Sequence, residues 1–210
     1  PDCDVYASDV QSQGLKGSSC VIHTPGGQFS CLVPTPGSHM VSNALAGAAV
    51  GYVLGLSSEQ IKYGIEHLPF LPGRNNIIQT DKVIILDDCY NANPVSMKAA
   101  IDVLGLGIGR RVAVLGKMGE LGHNEKELHY EVGTYLAASG TDMVIAVDEL
   151  AKEIIRGIED AGSRIETHWF ATKDDLIPHL GELIKEGDNV LVKASNSLGF
   201  SGIVQALQEL

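Results

Sequence analysis

Residues 85–94 read Ile-Leu-Asp-Asp-Cys-Tyr-Asn-Ala-Asn-Pro, an apolar run that passes straight into two carboxylates, two amides and a proline. In open α/β sheets ligands bind just beyond the carboxyl ends of strands, so Asp88 and Asn91 are expected to meet a small molecule there. A carboxylate can accept both hydroxyls of a ribose, and an amide can donate and accept toward a base or sugar. Asn93 shares this nucleotide-facing loop but has a second explanation, as the N-cap of a helix whose first residue is Pro94. Asp88 and Asn91 have no comparable structural reason in the sequence.

Two further segments carry the same character: residues 112–122, Val-Ala-Val-Leu-Gly-Lys-Met-Gly-Glu-Leu-Gly, and residues 36–46, Pro-Gly-Ser-His-Met-Val-Ser-Asn-Ala-Leu-Ala. With Asp87 to Pro94 they resemble the Mur ligases of peptidoglycan synthesis, from about Val5 to the end of the chain. Within that family the likeness is nearest to members that join D-alanyl-D-alanine to UDP-N-acetylmuramoyl-tripeptide. The resemblance implies a cytoplasmic bacterial enzyme that uses ATP and Mg²⁺ to activate the tripeptide carboxylate as an acyl phosphate. It also implies nucleotide contacts from Asn43 and, one helical turn before it, His39. Arg74 would neutralise the γ-phosphate or the acyl phosphate, and Lys193, Ser195 and Asn196 would lie on the substrate side.

Mur ligases resemble one another in three domains, and a phosphate-cradling G-x-x-x-x-G-K-[ST] loop should open the central one. Neither Lys16-Gly17-Ser18 nor Gly116-Lys117-Met118 fits that pattern. The resemblance therefore implies a C-terminal portion whose partner is the missing N-terminal half, with the central-domain lysine and acidic metal ligands lying before Pro1. Such a portion holds no metal and no tightly bound cofactor of its own, and alone it should not catalyse ligation. Two positions depart from the family pattern: Asn196 stands where arginine is more usual, and Lys117 where aspartate is. Loss of that arginine removes a carboxylate clamp and leaves the amino acceptor open. A folylpolyglutamate synthase-like ligase and a noncatalytic nucleotide- or peptide-binding module are the alternatives.

Composition narrows the classes. The 210 residues carry a net charge of −11, which opposes nonspecific nucleic-acid binding. Cys3, Cys20, Cys31 and Cys89 form no C-x-x-C pair, so reduced thiols are expected rather than a zinc site, with Cys89 a small packing residue. The apolar run from Ala44 to Leu56 falls short of the roughly 20 residues that span a bilayer, and no membrane insertion is expected.

The elements that position these residues change character near residue 75. Before it, Ser19–Thr24 and Gln28–Val33 read as a hairpin around Pro25-Gly26-Gly27, followed by helices over 39–55 and 58–67, the second opened by a Ser57/Gln60 capping box. Leu71-Pro72-Gly73-Arg74 breaks the chain. This gives a 1–74 remnant of the ATP-binding central domain, with a β-hairpin and two helices, and a 75–210 ligase domain, with residues 71–75 as the hinge between them. After the break, strands at 83–86, 112–115, 143–147, 168–170 and 190–192 alternate with helices at 94–104, 125–138, 149–161, 173–185 and 201–210. The expected fold is α/β, a Rossmann-like and mainly parallel sheet. Gly105-Leu106-Gly107-Ile108-Gly109 follows a helix and does not match G-x-G-x-x-G, which disfavours nicotinamide binding. Glu120, His123 and His129 read as helix surface and capping.

Overall fold

The computed structural model describes residues 3–210, which divide between Phe70 and Leu71 into two compact units. In the first, β1 (Tyr6–Ser12), β2 (Ser18–Thr24) and β3 (Gly27–Val33) form an antiparallel sheet in that order, followed by α1 (Ser38–Val53) and α2 (Ser58–Glu66). The expected hairpin turns at Pro25 and Gly26, with Thr24 opposite Gly27. Strand alternation sends Cys20, Ile22, Cys31 and Val33 inward against Val41, Ala44 and Ala48 of α1 and Ile61 and Ile65 of α2. The capping box forms, with Ser57 Oγ accepting from Gln60 N–H and the Gln60 side chain accepting from Ser57 N–H.

The second unit contains β4 (Asn76–Gln79), β5 (Ile84–Asp87), α3 (Pro94–Leu104), β6 (Arg111–Gly116), α4 (Glu125–Ala137), β7 (Met143–Val147), α5 (Lys152–Asp160) and β8 (Glu166–Phe170). It closes with α6 (Lys173–Leu176), α7 (Leu180–Leu183), β9 (Asn189–Lys193) and α8 (Ser201–Gln208). The sheet order is β4-β5-β9-β6-β7-β8, parallel except for β4, which runs antiparallel to β5 at the edge. The Rossmann-like architecture is as expected. One face packs Ile85, Val112, Val114, Ile145 and Val192 against Leu176, Leu180, Phe200, Ile203 and Leu207. Across the other face α4 and α5 cross so closely that a Cβ on Gly133 would lie 2.0 Å from the Ile154 carbonyl oxygen, and one on Gly157 2.2 Å from that of Tyr130. Only glycine permits that approach.

Two elements differ from expectation. The edge strand β4 offers only Ile77 and Ile78 as apolar residues, too short a pattern to register as a strand. The single helix expected over 173–185 is interrupted at Pro178 by a 3₁₀ turn, Ile177–His179. Proline supplies no N–H and crowds the preceding turn.

Candidate functional site

The chain runs from β5 past one strand position to β6, then to β7 and β8, and returns as β9 into the gap between β5 and β6. The loops leaving β5, β9 and β6 therefore stand side by side at the carboxyl edge, at the topological switch point where α/β sheets bind ligands. Apart from Lys193, the last residue of β9, each of the second unit's expected site residues lies on one of these loops or on the segment bonded to them.

The two aspartates ending β5 divide their roles by strand alternation. Asp87 points inward and is buried; it accepts from Gly73 N–H at 2.7 Å and from the Cys89 thiol at 3.0 Å. Burial, reinforced by the Asp87 hydrogen bond, pushes that thiol up to about 12. Cys89 is thus no nucleophile at neutral pH, in keeping with packing.

Asp88 turns the other way, but not simply into the cleft. Its Oδ1 accepts from Asn75 N–H at 2.9 Å, and its Oδ2 lies 2.5 Å from Lys193 Nζ. Lys193 was expected on the substrate side; instead it is 2% exposed and among the largest fully buried side chains. The ammonium also donates to the carbonyls of Asn91, at 2.9 Å, and Asp88, at 3.4 Å. All three acceptors belong to the loop after β5. A buried ammonium must be paired, so Lys193 braces this loop from the neighbouring strand, and Asp88 has a structural role that its sequence context does not reveal.

Asn91 is exposed, its Oδ1 accepting from Ala92 N–H at 2.8 Å. Asn93 caps α3 reciprocally with Ser96, with Pro94 in the first turn. Exposed Arg74 lays its guanidinium over the Tyr90 ring, 3.9 Å from the centroid. The segment around it is not a free linker: Gly73 bonds Asp87, its carbonyl accepts from Tyr90 N–H at 2.9 Å, and Asn75 bonds Asp88. Residues 73–75, expected within a hinge at 71–75, are thus bonded to the second unit. Beside them a cavity of about 380 Å³ is lined by Gly73, Asp87, Cys89, Tyr90, Asn196 and Phe200 among others.

In the first unit His39 and Asn43 lie one turn apart on α1, both exposed, and Asn43 Nδ2 donates to Met40 Sδ at 3.4 Å.

The loop after β6 meets the loop after β9 directly. Ser195 N–H donates to the Lys117 carbonyl at 2.9 Å, and a Cβ on Gly119 would lie 2.9 Å from Ser195 Oγ. Lys117 pairs with Asp148, at the end of β7, at 3.3 Å. Glu120 and His123 are exposed, but His129 is fully buried, bonded to Met118 and Glu125. Its position near the charged start of a helix concealed that. Among the described residues no three His, Cys, Asp or Glu side chains are grouped to hold a metal ion.

Residues 73–196 match the Mur ligase, glutamate ligase domain. The chain belongs to the Mur ligase family. It is 39% identical, over 92% of its length, to the UDP-N-acetylmuramoyl-tripeptide--D-alanyl-D-alanine ligase of Escherichia coli (strain K12), of which it covers 42%. The homologous ligase of Bacillus subtilis (strain 168) is 33% identical over 98% of this chain and 45% of its own. Among solved structures it matches MurF from Acinetobacter baumannii with a TM-score of 0.90 and 32% identity, covering 100% of this chain and 46% of that one. MurF from Thermotoga maritima in complex with ADP matches with a TM-score of 0.80 and 25% identity, over 98% of this chain and 46% of that one. The chain thus spans less than half the length of these relatives.

Proposed function

We propose that this chain is the C-terminal part of an ATP-dependent amide ligase that adds D-alanyl-D-alanine to UDP-N-acetylmuramoyl-tripeptide in the bacterial cytoplasm. Residues before Leu71 would belong to its ATP-binding central domain and those from Leu71 onward to its C-terminal ligase domain. In the reaction the tripeptide carboxylate attacks the γ-phosphorus, giving an acyl phosphate and ADP; the dipeptide amine then attacks the acyl carbon and releases phosphate. The observation that carries this reading is the likeness to ligases of that name over nearly the whole chain, together with the convergence of three strand-end loops at one edge.

In this reading Asp88, held by Lys193, accepts from the ribose, since each carboxylate oxygen has a lone pair beyond those engaged. Asn91 and Asn93 border the nucleotide, and His39 and Asn43 contact it from the central domain. Arg74 offers the N–H edge of its guanidinium to phosphate while its face rests on Tyr90. Ser195 and Asn196 border the incoming dipeptide, and the loop that ends at Lys117–Gly119 completes that side. Mg²⁺ would be held by ATP and by ligands outside this chain.

The test uses the longer protein with ATP, Mg²⁺ and the tripeptide precursor. Expected is one ADP per pentapeptide formed with D-alanyl-D-alanine. Amide formation with glutamate instead would replace this reading with a folylpolyglutamate synthase-like one, and ATP-independent binding alone would reduce the chain to a binding module. The 210-residue chain by itself, without a phosphate-cradling loop, should not hydrolyse ATP.

A further inference from the structure

We infer that His129 is a positioning residue: through Met118 it sets the loop after β6 so that Lys117 and Gly119 form the seat of Ser195. Nδ1 of the ring lies 2.6 Å from the Glu125 carbonyl oxygen, and Nε2 lies 2.8 Å from the Met118 backbone nitrogen. A carbonyl only accepts and a backbone N–H only donates. Both contacts are satisfied by a single form of the ring, the neutral tautomer with its proton on Nδ1. An imidazolium would set N–H against N–H at Met118.

The consequence travels beyond one hydrogen bond. Met118 is itself buried and cannot turn to water for another partner. Its neighbour Lys117 receives Ser195 N–H, and on its other side Gly119 is pressed close to Ser195 Oγ. A chain of contacts therefore runs from α4 through the β6 loop to the β9 loop. Three carboxylates face the ring, Glu125 from its own helix, Asp148 from the end of β7 and Glu153 from α5, and each favours a proton on it. Burial outweighs them and holds the histidine below its ordinary value of 6.5. Near neutral pH the ring is the acceptor that Met118 needs.

Nitrogen-detected NMR of the 210-residue chain tests this without reference to catalysis. The ring nitrogens should report a proton on Nδ1 at pH 7.5, and on acidification the Met118 and Ser195 amide signals should move together with a midpoint below 6.5. A proton on Nε2, a midpoint at or above 6.5, or a Ser195 signal that stays fixed while Met118 moves would overturn the inference.

A catalytic arm rests on the proposed ligase function. In the longer protein His129→Gln, which keeps one donor and one acceptor on a looser side chain, should lower kcat by up to about 100-fold through misplacement of the β6 loop. The KM for ATP should stay unchanged, because the loop after β5 is held separately by Lys193. Equal loss in kcat and rise in the KM for ATP would count against the inference as general loosening. Wild-type protein with no ligase activity would sink the functional proposal and leave the NMR result standing.

Discussion

The loops after β5 and β6 leave the same sheet edge, yet a buried charge holds the first and a buried neutral ring holds the second. Lys193 gathers the Asp88 carboxylate and two carbonyls around one ammonium, whereas His129 accepts a single backbone N–H from Met118. A buried ion pair is sensitive to losing one partner, since the survivor is left charged and dry. A neutral hydrogen bond costs less when lost but responds to pH, because imidazole can change its protonation state near neutrality. The difference teaches that the loop proposed to meet ATP is held by one ammonium at three acceptors. The loop proposed to border the amino acceptor is held by a contact that acid can undo.

The largest expected effect comes from Lys193→Met. Asp88 loses its counter-charge and the loop loses its brace, so unfolding free energy should fall by about 3–5 kcal/mol. The lower end is expected, because Asp88 is 21% exposed and retains some solvation. Urea denaturation of the chain measures this, and adding Asp88→Asn should recover part of the loss by removing the orphaned charge. A single variant as stable as the wild type would show that the pair contributes nothing. The same geometry means that Asp88→Ala perturbs folding as well as any nucleotide contact.

Next in size is His129→Leu, which strands the buried Met118 N–H at an expected cost of about 1–3 kcal/mol; the Glu125 carbonyl keeps its bond within the helix. Its pH signature has a fixed sign. The folded-state value lies below the ordinary 6.5, so the unfolded chain binds the proton first. Wild-type stability from this group is fully present above about pH 6.5. It declines as pH falls from there toward the lowered folded value. His129→Leu should flatten that part of the stability–pH curve, while Lys193→Met should leave it in place. Thermal melts from pH 8 to 5 distinguish the two, and equal slopes for His129→Leu and wild type would refute the assignment.

These two anchors were illegible in the sequence for different reasons. The strand ending in Lys193 looks like any strand closed by a charge, because what buries the ammonium is a loop about a hundred positions earlier in the chain. His129 follows a charged helix start, Glu125 to Glu127, and α5 crosses its helix α4 at two glycines. By contrast the Asn93–Pro94 helix start, the Ser57 capping box and the five parallel strands were readable, since each rests on local chemistry or on a run of apolar residues within one element. The edge strand β4 and the break at Pro178 were lost where a pattern was too short or a proline lay inside one. The ties of Gly73 were hidden as well: proline and glycine mark irregular backbone, but its hydrogen bonds go to Asp87 and Tyr90, which lie further along the chain.

A smaller effect is expected at the helix that follows the β5 loop. Asn93→Ala removes the reciprocal cap with Ser96 and should cost about 1 kcal/mol. Amide exchange in the first turn of α3 should rise while protection at Met118 is unchanged. Faster exchange at both would mean that the two loops are less independent than their anchors suggest.

The smallest effect on the fold, at Asn91→Ala, gives the sharpest functional comparison. Asn91 is exposed, and among the described residues its side chain is bonded only to the next residue's N–H, whereas its backbone carbonyl, which Lys193 needs, survives the substitution. Stability should therefore change by no more than about 0.5 kcal/mol, with the Lys193 brace intact. If the β5 loop meets the nucleotide as proposed, the KM for ATP of the longer protein should nevertheless rise, and the loss should not depend on the concentration of D-alanyl-D-alanine. Asp88→Ala cannot separate these readings because it disturbs a buried ammonium at the same time. An unchanged KM for ATP in a variant that melts like the wild type would remove Asn91 from the nucleotide site. A melt lowered by several degrees would instead show that its side chain supports the loop.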